Sequence, residues 1–154
     1  MLGAARSGDI IPWDYDVDLG VWEEDVAKCP LLHSASQKGK VQTSKGFVWE
    51  KANEGDFYRV QYSNVNHLHV DIFPFYDNGA GIMTKRTWMK THVQDTEFPT
   101  HFVQSLAKIK FAGAEAMAPK QYREFLELKF GKGVIESPVV PAPPPAVMLA
   151  PSAY

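Results

Sequence analysis

The alternation of apolar and polar positions in the middle of the chain predicts three neighbouring β-strands. Residues 57–63 alternate throughout, with tyrosine and valine on one face and Arg59 among the residues of the other face, which is the period of two that a strand requires. Residues 46–51 precede this segment across a polar loop of hairpin type, and residues 67–73 follow it after a short turn. Because the connections are short, we expect the three strands to form an antiparallel meander.

Two segments have the features of helices. Residues 21–31 begin with a run of acidic side chains, which suits the positive end of the helix dipole. Residues 119–130 begin with a proline, carry an apolar stripe and are followed by Gly131, as expected at a helix C-terminus. Helical and extended segments are mixed without strict alternation, so the pattern predicts an α+β fold.

Composition places the chain among ordinary globular proteins. It has 154 residues, 45% of them hydrophobic, and a formal net charge of −2. We expect one domain over residues 1–136, since a chain of this length supports one real core. Residues 137–154 contain six of the eleven prolines, which predicts an extended, disordered tail. Lys and Arg never form a run longer than two residues, so no footprint for nucleic-acid phosphates is indicated.

Targeting features are absent from the sequence. The first residues reach a charge too soon for a signal peptide, and no segment approaches the roughly 20 apolar residues that span a membrane. Cys29 is the single cysteine and cannot form an internal disulfide bond, so cysteine usage does not indicate the redox compartment.

Three aspartates that alternate with apolar residues after Pro12 are the sharpest chemical feature of the chain. If residues 14–19 are extended, Asp14, Asp16 and Asp18 share one face, and the apolar residues pack on a core on the other. Asp16 and Asp18 would then lie roughly 6.6 Å apart at Cα, a spacing from which two carboxylates can converge on a divalent cation. Asp14 would lie outside the coordination sphere, or on the loop that Pro12 begins. Oxygen ligands suit Mg²⁺ or Mn²⁺.

Two other interpretations of this acidic segment stay open. A solvated acidic edge strand has the same pattern. An EF-hand loop that starts at Asp14 would need Gly at its sixth position and Glu at its twelfth, where this chain has Leu19 and Asp25.

Asp71 provides a second acidic element. In the strand predicted over residues 67–73, His67, His69 and Asp71 share a face. A third carboxylate from a neighbouring strand would complete a two-metal site with the aspartate pair described above. The two histidines either ligate a metal directly, support the acidic site or simply form hydrogen bonds within a polar sheet face.

Basic and small residues near the start are candidates for phosphate binding. Gly3 is followed by two alanines and Arg6, and small residues let backbone amides approach a phosphate while an arginine offers a planar fork to its oxygens. Arg59, on a strand near Asp71, is a weaker phosphate candidate with a surface salt bridge as its alternative role.

Several separated motifs, taken in order, resemble the LicD-type nucleotidyltransferase-fold family. They are Leu-Gly-Ala-Ala-Arg at 2–6, Ile-Pro-Trp-Asp-x-Asp-x-Asp at 11–18, His-x-Asp-Ile-Phe-Pro-Phe-Tyr at 69–76 and Ala-Pro-x-x-Tyr-Arg-x-Phe-Leu-Glu-x-Lys-Phe-Gly at 118–131. The resemblance covers about residues 1–138 and implies a mixed or antiparallel sheet flanked by helices. It also implies that Asp16 and Asp18 are the DxD metal ligands, that Asp71 is the third carboxylate and that Gly3 belongs to the phosphate-binding motif.

The activity that this resemblance implies is a phosphotransfer. It is the metal-dependent transfer of ribitol 5-phosphate from CDP-ribitol to the phosphorylated O-mannosyl glycan of α-dystroglycan, with Mg²⁺ or Mn²⁺ as cofactor. The resemblance further implies a type II membrane protein of the Golgi lumen, whose anchor and stem precede the catalytic domain. Because the chain begins inside the glycine motif, we expect it to be N-terminally truncated. A GT-A-type glycosyltransferase with a DxD pair and a catalytically inactive glycan-binding remnant are the alternatives.

Overall fold

The structure of the chain, a computed structural model, describes residues 1–14, 16–85 and 97–137. Their contacts divide the described chain into two compact units. The terminal unit contains residues 1–14 and 98–137, and the central unit contains residues 16–85 together with Glu97.

Helices and strands are mixed along the chain, which confirms the predicted α+β class. The helices are α1 (Leu2–Ser7), α2 (Glu23–Val26), α3 (Pro30–Lys38), α4 (His101–Gln104) and α5 (Tyr122–Phe130). The strands are β1 (Asp18–Trp22), β2 (Lys40–Gln42), β3 (Val48–Lys51), β4 (Tyr58–Gln61), β5 (His69–Asp77), β6 (Ile82–Lys85), β7 (Glu97–Pro99), β8 (Leu106–Phe111) and β9 (Ala114–Pro119). Among the described residues, no helix is long and apolar enough to cross a bilayer.

The sheet of the central unit is built around β5. Strands β2, β3, β4 and β5 pair in that order and are antiparallel, which confirms the predicted meander. Strand β6 pairs antiparallel with the second half of β5, and β1 pairs with β5 in parallel. Since Asp71 and Ile72 are paired with both β4 and β1, these two strands lie on opposite edges of β5. The central sheet is therefore mixed.

The two faces of this sheet differ in character. One face packs against α3 through a cluster made by Leu32, Ala35, Tyr58 and Ile72. The other, which we call the polar face, carries the charged side chains of β3, β4 and β5 next to a buried aromatic pair. In that pair the rings of Phe57 and Phe73 are stacked with their centroids 5.0 Å apart.

The acidic strand considered over residues 14–19 is shorter than that range, and Asp14 lies on the loop that the sequence offered as its alternative place. Asp14 lies in a turn, where its N–H donates to the Ile11 carbonyl oxygen at 2.8 Å. The strand begins only at Asp18, where its parallel pairing with β5 starts. Leu19 is 48% exposed, so the expected packing of the apolar face does not extend to it. Tyr15 lies outside the described residues.

The helix predicted over residues 21–31 is wrong. Its first residues belong to β1, the acidic run forms only the single turn α2, and a separate helix α3 begins at Pro30. Proline suits the first position of a helix but disfavours a helical conformation in the residue before it, so Cys29 is extended with φ −90° and ψ 112°.

The terminal unit has its own core around α5. Leu126 of α5 is 1% exposed and packs with Leu2, Ile11 and Val134. The helix predicted over residues 119–130 is confirmed from Tyr122 onward, whereas Pro119 ends β9. In this unit β8 and β9 form an antiparallel hairpin. Of the predicted proline-rich tail, residues 137–154, all but Ser137 lie outside the described residues, and the single-domain boundary stays a prediction.

Candidate functional site

A row of charged side chains crosses the polar face from β2 to β1. Lys40 is registered with Glu50, Glu50 with Arg59, Arg59 with Asp71, and Asp71 with Asp18. Registered neighbours in a sheet point to the same face, so these residues form one line, which we call the charged row. Its charges alternate in sign until the last two positions, where two aspartates lie side by side.

The aspartate pair at the end of the charged row is created by the parallel pairing of β1 and β5. The Asp71 N–H donates to the Val17 carbonyl oxygen at 3.0 Å, which sets the register of Asp18 beside Asp71. Neighbouring strands lie about 4.8 Å apart, so the two side chains start from adjacent positions on one face of the sheet. Like charges in this arrangement repel, and a cation between them would remove that repulsion.

Arg59 and His69 surround the Asp71 carboxylate. The Arg59 Nε donates to Asp71 Oδ1 at 3.0 Å, and the His69 Nε2 lies 3.8 Å from the same oxygen. The side chains of Arg59 and Asp71 are only 21% and 19% exposed. The predicted neighbourhood of His69, Arg59 and Asp71 on one sheet face is therefore present.

Glu54, in the loop between β3 and β4, completes this group of charges. Its Oε1 accepts a hydrogen bond from Arg59 Nη1 at 2.9 Å. Burial lowers the pKa of Arg59, but the hydrogen bond to Glu54 and the charges of Asp71 and Glu54 outweigh it, so the pKa of Arg59 is raised above its ordinary value. The same hydrogen bond lowers the pKa of Glu54.

The structure places the remaining acidic and histidine candidates in different settings. Asp16 is exposed and lies two residues before the start of β1, and Asp14 belongs to the terminal unit. The His67 Nε2 donates to the Asn64 carbonyl oxygen at 3.0 Å, and the His69 Nδ1 donates to the His67 carbonyl oxygen at 2.9 Å. These bonds agree with the interpretation in which the histidines order a polar sheet surface.

Gly3 and Arg6 both contact backbone within the terminal unit. A Cβ at Gly3 would lie 2.3 Å from the Asp9 carbonyl oxygen, so the glycine allows a close backbone approach. The Arg6 Nη2 donates to the Val134 carbonyl oxygen at 2.6 Å and also to that of Ser137. These contacts give both residues structural roles, and their binding of phosphate stays a prediction.

The donor atoms of the aspartate pair fit a hard divalent cation. Asp18 and Asp71 offer only carboxylate oxygens, which Mg²⁺ and Mn²⁺ prefer. Within residues 1–14, 16–85 and 97–137, no three His, Cys, Asp or Glu side chains converge closely enough to hold a metal ion. The structure thus registers Asp18 with Asp71 on adjacent strands, and Asp16 forms no three-residue cluster with them in the described chain.

Glu50 and Glu54 are the members of this constellation that reasoning from sequence missed. Both belong to the hairpin formed by β3 and β4, and the register of that hairpin places Glu50 opposite Arg59. A signal was present, because a short hairpin loop sets which residues lie opposite each other.

Comparison with known proteins identifies the class to which this fold and site belong. A family model described as the LicD/FKTN/FKRP nucleotidyltransferase domain matches residues 1–121. The chain therefore belongs to the LicD family, as the sequence motifs predicted.

Two curated relatives refine this assignment. The ribitol 5-phosphate transferase FKRP of Homo sapiens and that of Mus musculus are each 62% identical to the chain over 143 residues, or 93% of its length. The chain spans 28% of the length of each relative. These similarities do not favour the GT-A-type glycosyltransferase or the inactive glycan-binding remnant.

Proposed function

We propose that this chain carries the metal-binding part of a ribitol 5-phosphate transferase site. The donor would be CDP-ribitol and the acceptor the phosphorylated O-mannosyl glycan of α-dystroglycan, in the Golgi lumen. The 62% identity to relatives that are named ribitol 5-phosphate transferase supports the reaction class. The single structural observation that carries the proposal is the registered pair of Asp18 and Asp71 on the polar face.

Asp18 and Asp71 are the residues that would hold Mg²⁺ or Mn²⁺. Asp16 forms no three-residue cluster with them in the described part of the chain, so it would have to move to become a further ligand. When bound, the cation would offset the negative charge that develops on the diphosphate as CMP leaves. Asp16 lies two residues before Asp18, a spacing that puts both side chains on one face wherever the backbone is extended.

The protein residues supply position and charge for the rest of the reaction. Asp71, on the central strand of the sheet, would orient the attacking hydroxyl of the acceptor by accepting its hydrogen bond. Arg59 places a positive charge beside this carboxylate on the polar face.

The experiment measures CMP release from CDP-ribitol in the presence of Mg²⁺ by Asp18→Asn and Asp71→Asn variants of this chain. Each should lose at least about 100-fold in rate, since a metal ion supplies several kcal/mol of charge stabilisation. Asp25→Asn is the matched control, because Asp25 lies on α2 and forms an exposed ion pair with Lys28, which follows that helix. Full activity in both site variants, or no CMP release by the wild type, would contradict the proposal.

A second measurement identifies the group that is transferred. The mass of a phosphorylated O-mannosyl glycopeptide after incubation should increase by one ribitol phosphate. An increase by a plain sugar, with a nucleotide sugar as donor, would instead support a glycosyltransferase.

A further inference from the structure

We infer that Arg59 is a positioning residue for Asp71 and that Glu54 holds Arg59 in place for this task. Neither residue would touch the substrate in this role. The inference rests on the proposed function, because it assumes that Asp71 is a metal ligand. It differs from the role in phosphate binding that the sequence suggests for Arg59.

Three contacts from different directions restrain the Arg59 guanidinium. Its Nε donates to Asp71 Oδ1 at 3.0 Å, and its Nη1 donates to Glu54 Oε1 at 2.9 Å. Its central carbon lies 5.1 Å from the centre of the Phe57 ring, within the range of a cation–π contact. A planar group held at two nitrogens and one face has little freedom to rotate.

The contact with Asp71 selects one of the two carboxylate oxygens. In the part of the chain that the structure describes, the side-chain contacts of Asp71 with Arg59 and His69 both involve Oδ1. Oδ2 is thereby left as the oxygen for a ligand. Because Arg59 keeps the carboxylate in one orientation, that oxygen is presented in one direction, as partners behind metal ligands commonly ensure.

Glu54 is itself well placed to act as an anchor. Its loop is closed by a hydrogen bond from the Ala52 N–H to the Phe57 carbonyl oxygen at 2.9 Å, and by an ion pair between Lys51 and Asp56. The side chain of Glu54 is 52% exposed, and exposed ion pairs add little to stability. Its contact with Arg59 is therefore better explained by orientation than by stabilisation of the fold.

The geometry favours positioning over phosphate binding for Arg59. Two of its nitrogens are directed at carboxylates of the protein, one from the loop and one from β5. A phosphate group that took the same donors would have to displace Asp71 or Glu54. Each displacement would leave a carboxylate without this partner next to the incoming anion, which is unfavourable.

The test uses Arg59→Lys, because this variant keeps the positive charge and removes the planar fork. Mn²⁺ alone is the probe, and its binding is measured by electron paramagnetic resonance. We expect the Mn²⁺ affinity to fall by roughly 10–100-fold, the range seen when a residue that orients a metal ligand is lost. Arg123→Lys is the matched control, because Arg123 forms a similar ion pair with Glu136 in the terminal unit. The Mn²⁺ affinity of the Arg123→Lys variant should equal that of the wild type.

Variants of Glu54 test the second half of the inference without altering the sheet. Glu54→Ala removes the anchor and should weaken Mn²⁺ binding in the same direction as Arg59→Lys. Glu54→Gln keeps an oxygen that can accept from Arg59 Nη1 and should restore most of the affinity. Equal Mn²⁺ affinity in wild type, Glu54→Ala and Arg59→Lys would overturn the inference.

Steady-state kinetics of CMP release separate the two roles of Arg59. Positioning predicts a lower kcat with little change in the KM for CDP-ribitol, whereas phosphate binding predicts a higher KM with kcat retained and would overturn the inference. If the wild-type chain binds Mn²⁺ but releases no CMP, the proposed function is contradicted. The inference about Arg59 and Glu54 is then decided by the Mn²⁺ affinities of the variants. Wild-type chain that does not bind Mn²⁺ would overturn both.

Discussion

Gly3→Ala should destabilise the terminal unit even though alanine is the better helix former. Gly3 lies in α1, and an added Cβ would meet the Asp9 carbonyl oxygen at 2.3 Å and the Ile11 nitrogen at 2.9 Å. Both obstacles are backbone atoms, which cannot rotate away as a side chain would. Overpacking of this kind costs about 1–3 kcal/mol, and the gain in helix propensity returns about 0.5–1 kcal/mol. Because the clash is with backbone, the cost belongs to the upper part of its range, about 2–3 kcal/mol, and we expect a net loss of about 1–2.5 kcal/mol.

Hydrogen exchange followed by mass spectrometry measures this loss in each unit separately. Amides of α1 and α5 that open with the terminal unit should exchange about tenfold faster, since 1.4 kcal/mol corresponds to a factor of ten, while β3 and β4 should be unaffected. Ala5→Gly in the same helix is the control for propensity and should destabilise by a smaller amount. If Gly3→Ala left protection unchanged or increased it, the close packing of α1 would not explain this glycine, and its predicted contact with phosphate would become the better explanation.

Two further predictions concern charge and packing. The hydrogen bond from Arg123, together with its charge, lowers the pKa of Glu136. Their ion pair therefore adds stability above the unfolded-state pKa of this carboxyl, and the stability is lost as the pH falls through the lower folded-state pKa. In urea titrations at several pH values, the difference between wild type and Glu136→Gln should shrink in acid, and a difference that grew there would contradict this reasoning. Gly20→Ala would place a Cβ 2.2 Å from the ring of Phe75. Because this ring can shift, we expect the substitution to cost about 1 kcal/mol of stability and to lower the Tm by roughly 2–4 °C. An unchanged Tm would refute this prediction.

The parts of the fold that could be predicted from sequence are those built from local contacts. The meander of β3, β4 and β5 follows from alternating side chains and short connections, and its strands occur where the pattern places them. The parallel strand β1 could not be found in this way, because its partner β5 lies some fifty residues further along the chain and leaves no local signal. The acidic run at residues 23–25 therefore suggested a helix that includes residues now found in β1. Pro30 was the local signal for the true helix boundary, because proline favours the first position of a helix and α3 begins at Pro30.

The same distinction applies to the candidate site. Residue types and spacing were sufficient to single out Asp18, Asp71 and Arg59, but the contacts between them depend on which residues lie opposite each other in three strands. A shift of the β4–β5 register by one residue would turn Asp71 toward the face that α3 covers and separate it from Arg59. That shift is opposed by the buried residues Tyr58 and Ile72, which are registered with each other and pack against α3. The apolar face of the sheet thus determines the register, and the register determines which charges meet on the polar face.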